Sequence, residues 1–336
     1  MMRLPWFEHR APRSVAEAAK ILAGEGPGAM AIAGGTDLLP NMKRRQQTPK
    51  VLVSLRGISS LKSFSNGNGM TFGSGITLTE LVRNEKTPTA LRQAAHQIAT
   101  VHLRNMGTLG GNLCLDTRCN YYNQTYEWRK AIDFCLKKDG DICWVATASK
   151  RCVAVSSTDT APALIALNAV VTLVSVRGER KMKLEDFYRN DGIDHLSRAS
   201  DEIVTEIRIP QTNFKSTYWK LRRRGAFDFP VLGVAAALRF SSGNIVDEAR
   251  IALGAAASRP FLVEMASDFL KGKKLSDDVI AEVSSMVASR AKPLDNTDHD
   301  LYWRKEVADD FTAYALRELR GDDMREIRLR IARTLP

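Results

Sequence analysis

The 336-residue chain is sparing with the residues that most sharply restrict function. Its five histidines, His9, His96, His102, His195 and His299, form no H-x-x-x-H pair, so imidazole metal chemistry has no template here. Only His102 stands close to a motif discussed below. No run of 18 apolar residues occurs, which argues against a membrane-spanning helix. The N-terminus lacks an apolar segment with a small-residue cleavage site, so no secretory signal is expected. Neither a Ser-His-Asp pattern nor a G-x-G-x-x-G fingerprint is visible. Cysteine is scarce as well: five residues, all between Cys114 and Cys152. An odd, crowded set is no disulfide framework; it points to a reducing, cytoplasmic setting and to metal or redox use.

The bulk composition is that of an ordinary globular protein, 44% hydrophobic and 26% charged, long enough for two or three domains. Net charge is +11. The basic runs Lys43-Arg44-Arg45, Lys137-Lys138 and Arg222-Arg223-Arg224 lie in apolar-patterned sequence without any nucleic-acid-binding signature. They are read as a surface for acidic partners or phosphates, or simply as solvated faces.

Two glycine turns carry the functional signal. A helix with Ser14 as N-cap and Glu17 as its capping-box partner runs to about Gly24. A short apolar strand, Ala29–Ala33, then runs into Gly34-Gly35-Thr36-Asp37 and a helix from Leu38. Glycines let backbone approach a phosphate, and free N–H groups at such a turn point toward it. Helical stretches at Thr77–Val82 and Thr89–Thr100 lead to the second turn, Thr108-Leu109-Gly110-Gly111-Asn112. Two turns on adjacent elements can grip the two phosphates of a dinucleotide.

Together, Ala33–Asp37 and Thr108–Asn112 resemble the two FAD-pyrophosphate loops of the flavoprotein (medium) subunits of molybdenum hydroxylases, the family of carbon monoxide dehydrogenase and xanthine dehydrogenase. Thr158-Asp159-Thr160-Ala161-Pro162 resembles the family's D-x-x-P segment. Asp201–Ile207 resembles its strand beside the flavin ring, and Tyr218-Trp219-Lys220-Leu221 the opening of its C-terminal domain. The resemblance implies FAD held by Ala33, Gly34, Gly35, Thr36, Asp37, Thr108, Leu109, Gly110, Gly111, Asn112, Asp159, Ile203 and Lys220. Backbone N–H groups of both turns would take the pyrophosphate. Thr36, Asp37 and Asn112 would bond phosphate or ribityl oxygens, and Asp159 would accept from ribityl or ring donors. No catalytic side chain is expected in a subunit of this kind.

Asn112 and Asp159 stand 47 positions apart (159 minus 112), well beyond the family's usual spacing. The excess holds Cys119, Cys135, Cys143 and Cys152, separated by 15, 7 and 8 residues. Four thiolates suit either tetrahedral zinc or an iron–sulfur cluster, and the missing C-x₂₋₄-C knuckle tilts toward a cluster. The insertion resembles the [4Fe–4S]-bearing loop of the flavin subunit of 4-hydroxybenzoyl-CoA reductase, the branch this chain resembles best. Tyr121, Tyr122, Tyr126, Trp128 and Phe134 are expected to form its core, and Arg118, Lys137, Lys138, Lys150 and Arg151 to offset cluster charge. Cys114, inside the inherited turn, is read as a small packed residue.

The expected fold is α+β: a two-part FAD-binding domain of the PCMH (vanillyl-alcohol oxidase-like) type, then an α+β C-terminal domain of the CO dehydrogenase flavoprotein type. The expected boundaries are 1–213, with subdomains at about 1–56 and 57–213 and an insertion at about 115–155, then 214–320 and a basic tail 321–336. The tail would dock on a partner subunit or on its own domain. Partners implied by the resemblance are a molybdopterin-binding large subunit, a small subunit with two [2Fe–2S] clusters, and ferredoxin as donor, in a dimer of heterotrimers. The activity implied is reductive dehydroxylation of an aromatic acyl-CoA. An oxidative hydroxylase acting on a purine, aldehyde or N-heteroaromatic compound, and a zinc-braced protein without redox work, are the alternatives.

Overall fold

The computed structural model describes residues 3–211 and 213–333, and in it the chain folds around three sheets. The first is parallel: Glu8–Arg10 (β1), Ala29–Ile32 (β2) and Val51–Ser54 (β3), with β3 in the middle. Parallel strands need crossovers, and Val15–Glu25 (α1) supplies the one from β1 to β2 past the central strand, burying Ala18, Ala19 and Leu22 against Val51 and Val53. Ser14 accepts the Glu17 N–H at 3.1 Å. Glu17 takes the Arg13 N–H instead of that of Ser14, so the expected capping box is half formed. Leu38–Lys43 (α2) follows β2 through the first glycine turn.

The second sheet is antiparallel. It contains Phe64–Gly67 (β4), Gly69–Gly73 (β5), Val170–Ser175 (β6), Gly178–Lys183 (β7) and Ile203–Ile209 (β8), in the order β4-β5-β8-β6-β7. Short helices cover it: Leu78–Arg83 (α3), Thr89–His96 (α4), Leu109–Leu113 (α6) and Thr160–Ala166 (α8), while Val101–Arg104 (α5) and Tyr126–Ala131 (α7) lie outside its core. The helix expected over Thr89–Thr100 ends at His96. Ala99 takes a positive φ of 45°, and the Thr100 hydroxyl caps α5 by accepting the Leu103 N–H. A β-branched hydroxyl residue competes for backbone donors and starts helices better than it continues them.

The third sheet, Lys215–Leu221 (β9), Leu232–Phe240 (β10), Val246–Gly254 (β11) and Phe261–Leu262 (β12), runs in the order β12-β11-β10-β9. Its helices are Glu264–Leu270 (α9), Asp277–Arg290 (α10), Leu301–Arg320 (α11) and Arg325–Arg333 (α12). Leu232–Leu238 is buried throughout because β10 has no solvent face. Val234, Ala236 and Leu238 face the core under α10 and α11, whereas Ala235 and Ala237 join the core of the second sheet. Alternation along one strand thus welds the third sheet to the second.

The basic tail docks on its own domain. Ile327 and Ile331 of α12 pack on the third core, and Arg328 lies over the Trp219 ring, 3.9 Å from its centroid, while pairing with Glu318. Leu329 stays 53% exposed, and residues 334–336 of the expected tail lie outside the described residues. No helix among the described residues is long and apolar enough to cross a membrane.

Arg304 fastens α11 to the sheet. Its guanidinium is buried and donates to the carbonyls of Val231, Leu294 and Ala255, at 2.8 Å for Ala255; burial lowers its pKa to about 10. Substitution Arg304→Met removes this donor from the buried carbonyls of Val231 and Ala255, whereas Leu294 keeps the Asn296 N–H. We expect a loss of about 3 kcal/mol in stability, read from the denaturant midpoint of the full chain.

Candidate functional site

The two glycine turns meet backbone to backbone. A Cβ on Gly34 would lie 2.0 Å from the Met106 carbonyl oxygen and 3.0 Å from the Gly107 Cα, so only glycine permits the approach. Gly35, next in the chain, holds φ at +71° and turns β2 into α2. The N–H groups of Gly34, Gly35 and Thr36 find no acceptor among the described residues. Ala33 and Thr36 are only half-buried, which leaves these donors open to a ligand.

The second turn is built differently. The Leu109 N–H goes to the Ile76 carbonyl at 2.9 Å, Gly110 to Ser74 at 2.8 Å, and Gly111 to the Thr108 hydroxyl at 3.1 Å. Its amides are therefore spent internally, in contrast to the expectation that both turns present theirs to phosphate. A Cβ on Gly110 would lie 2.6 Å from that of Ser74, so this glycine also serves close packing. Asn112 does not face outward with its carbonyl: Oδ1 accepts from the hydroxyls of Thr158 and Thr160 and from the Thr160 N–H. It ties the turn to the start of α8.

Asp37 is likewise engaged. One carboxylate oxygen pairs with Arg118 and the other accepts from Asn41 at 3.0 Å. Asp159 and Lys220 come together, as a buried pair 3.0 Å apart, with the Tyr218 hydroxyl donating to Asp159 at 2.9 Å. The Lys220 ammonium also donates to the Gln97 and Asp228 carbonyls. Burial raises the Asp159 carboxyl and lowers the Lys220 ammonium, so each needs the other to stay ionised. Tyr218 was legible in principle, since it sits two positions before Lys220 on β9 and must share its face. Ile203 is placed apart from these groups, 2% exposed in the core with Ala18, Leu22 and Val53, where it offers no open surface to a ligand. His102 is exposed on α5, and Cys114 is half-buried against the second core.

The insertion gathers its four cysteines around one small cavity of about 10 Å³, lined also by Tyr121, Tyr122, Lys137 and Trp144. All four are buried. Burial pushes Cys119 and Cys152 up to about 11, and neighbouring thiolates add to it: Cys135 and Cys143 for Cys119, Cys143 and Cys119 for Cys152. Without metal these thiols stay protonated; metal binding would displace the protons. Among the described residues no three His, Cys, Asp or Glu side chains converge tightly enough for a single ion. The thiols ring a space.

The walls differ from expectation. Tyr122 is buried, but Tyr126 and Trp128 are 39% and 40% exposed, so the aromatic core is smaller than predicted. The insertion is too short to enclose all five rings, and its helix α7 turns these two to solvent. Lys137 is no solvated residue. Its ammonium donates to Asp116 at 2.7 Å, Thr117 at 2.8 Å and the Gly192 carbonyl at 2.6 Å. Lys150 and Arg151 are exposed.

Because Lys220 and Asp159 neutralise each other in the interior, Lys220→Met should cost about 3 kcal/mol, whereas Lys220→Met with Asp159→Leu should cost less than the sum of the two single changes. A double-mutant cycle in denaturant checks this.

Comparison with known proteins places these features. Residues 6–212 match a family model described as the FAD-binding domain in molybdopterin dehydrogenase. Residues 216–319 match the CO dehydrogenase flavoprotein C-terminal domain. The FAD-binding subunit of the Escherichia coli aldehyde oxidoreductase is 30% identical over 87% of this chain and 92% of its own. The glyceraldehyde dehydrogenase medium chain of Sulfolobus acidocaldarius is 26% identical over 94% and 99%. Among solved structures, carbon monoxide dehydrogenase from Hydrogenophaga pseudoflava superposes with a TM-score of 0.77 at 25% identity, over 94% of this chain and 98% of that one. The α+β fold is thus of the FAD-binding type followed by the CO dehydrogenase flavoprotein type, and the chain belongs to the family of FAD-binding subunits of molybdopterin-dependent dehydrogenases.

Proposed function

We propose that the chain is the electron-transfer flavin subunit of a molybdenum hydroxylase-type complex and carries, in its insertion, an additional iron–sulfur cluster. The observation that carries the second half is the ring of four buried thiols around one cavity. Its donor set is all sulfur, as cluster ligation requires, and it lacks the short C-x₂₋₄-C knuckle usual in structural zinc sites. When bound, FAD exchanges electrons singly or in pairs, and a cluster exchanges them singly.

The residues divide the work of holding these groups. The open N–H groups of Gly34, Gly35 and Thr36 would receive the pyrophosphate, and the second turn would stand behind them as a rigid backing. Cys119, Cys135, Cys143 and Cys152 would ligate the cluster. Lys137, fixed by three acceptors, places a positive charge beside it. The neutralised Asp159–Lys220 pair braces β9 beneath the site.

The dehydrogenases and the aldehyde oxidoreductase named above support an oxidative complex, acting on an aldehyde or heteroaromatic substrate, over the reductive one implied by the resemblance to 4-hydroxybenzoyl-CoA reductase. A nicotinate dehydrogenase FAD-subunit from Eubacterium barkeri, 28% identical, points the same way. The second reading, reductive dehydroxylation of an aromatic acyl-CoA with ferredoxin as donor, is favoured by one observation only, the four-thiol insertion. In either case we assign the substrate pocket to a molybdopterin-binding large subunit, with a small [2Fe–2S] subunit between, and place the complex in the cytoplasm, where thiols stay reduced.

Anaerobically purified chain should hold about one FAD, four iron and four sulfide per chain. Cys135→Ser should remove the iron and the sulfide. Zinc in place of iron, or iron unchanged in the variant, would sink the cluster. Steady-state assays of the complex with aldehydes and N-heteroaromatics against aromatic acyl-CoAs separate the two readings.

A further inference from the structure

The insertion reaches into the flavin turn through one side chain. Arg118 directly precedes Cys119, and its guanidinium is 4% exposed. It pairs with Asp37, donates to Asn41 Oδ1 at 3.0 Å, and lies 4.5 Å from the Phe229 ring centroid. The backbone of Arg118 is held by Val155 on the far side of the insertion, N–H to carbonyl in both directions at 2.8 and 2.7 Å. The two ends of the cysteine loop therefore close on the residue that grips Asp37.

Asp37 is an awkward neighbour for a phosphate. It lies in the turn whose free N–H groups face the ligand, and a bare carboxylate there would repel a pyrophosphate. Arg118 cancels that charge, and Asn41 takes the remaining oxygen. Burial raises the Asp37 carboxyl and Arg118 opposes the rise, a mark of how closely the two charges depend on each other. Further contacts fix the segment just after α2 to the insertion: Gln46 donates to the Tyr122 carbonyl at 2.5 Å, and Arg129 to that of Arg44 at 3.0 Å.

The insertion has little of its own to keep Arg118 in place. Its buried apolar cluster consists of Cys119, Tyr122, Cys152 and Ala154, and two of these four are the proposed ligands. A segment with so small a core is ordered by its metal.

We infer that Arg118 couples the two cofactor sites: cluster assembly positions Arg118, and Arg118 neutralises Asp37 so that the first glycine turn accepts the FAD pyrophosphate. The coupling rests on the cluster reading above for its first half and on the Arg118–Asp37–Asn41 geometry alone for its second. It makes Arg118 a positioning residue.

The test titrates FAD into deflavinated full-length chain and measures iron and sulfide in parallel. Arg118→Met should weaken FAD binding about tenfold or more with iron unchanged, and Arg118→Lys should restore most of it. In an Asp37→Asn background, Arg118→Met should cost less than threefold, because no carboxylate remains to neutralise. An equal loss in both backgrounds would overturn the Asp37 route. Cys135→Ser, and wild-type chain stripped of iron by chelation, should lose FAD affinity to the same extent, with Arg118→Met adding nothing further. Iron-free chain that binds FAD as the wild type does would overturn the coupling. If the wild type holds no iron at all, the cluster reading fails by itself, and the Arg118 and Asp37 variants still decide the second half.

Discussion

Between Gly34 and the Met106 carbonyl there is no room for a single carbon atom, since a Cβ would lie 2.0 Å from that oxygen. This approach brings the parallel first sheet against the loop leading to α6, and it determines what the rest of the site can be. With the two backbones in contact, the second turn must spend its amides inward, on Ile76, Ser74 and the Thr108 hydroxyl, to survive burial. The first turn keeps three consecutive open backbone donors, those of Gly34, Gly35 and Thr36. The asymmetry follows from burial: Thr108–Gly110 and Asn112 are buried, whereas Ala33–Asp37 are half-exposed.

The same economy explains the ion pairs. Four charged residues that seem from sequence free to meet a ligand, Asp37, Arg118, Asp159 and Lys220, are instead matched in two pairs inside the protein. Burial alone pushes Asp37, Asp159 and Lys220 toward their neutral forms. Paired, they set the electrostatic floor of the site: a turn with net donors and no net negative charge. The +11 of the chain matters less here than which few charges are buried and with whom.

The legible part of the sequence was whatever depends on local rules. The Ser14 N-cap, the apolar strand at Ala29 and the glycine turn that follows it all appear where pattern puts them. So does the clustering of four cysteines, since nothing but shared chemistry explains such crowding. Illegible were the long-range partners. Nothing near Asp37 announces Arg118, 81 positions away, and nothing near Asp159 announces Lys220, 61 positions away. Residue type said that these side chains could meet a ligand; only the fold says that they meet each other first. In the sequence Arg118 is one of several basic residues near the cysteines, and its burial distinguishes it from Lys150 and Arg151.

An insertion usually loosens the fold that receives it, and loops of this length cost little more to close than short ones. This one is also tied to every sheet-bearing part of the chain. Gln46 and Asp37 hold it to the first, the Gly192 N–H donates to the Cys152 carbonyl at 2.8 Å from the second, and Asn296 donates to the Val153 carbonyl at 2.6 Å from the third. Such anchoring exceeds what a surface decoration needs. A segment whose own core is four residues borrows contacts from three neighbours at once. A fixed position is what electron transfer between neighbouring centres demands, because its rate falls steeply with separation. The ties that hold the cysteines therefore also hold the distance between their cavity and the glycine turn, and Arg118 joins the two directly.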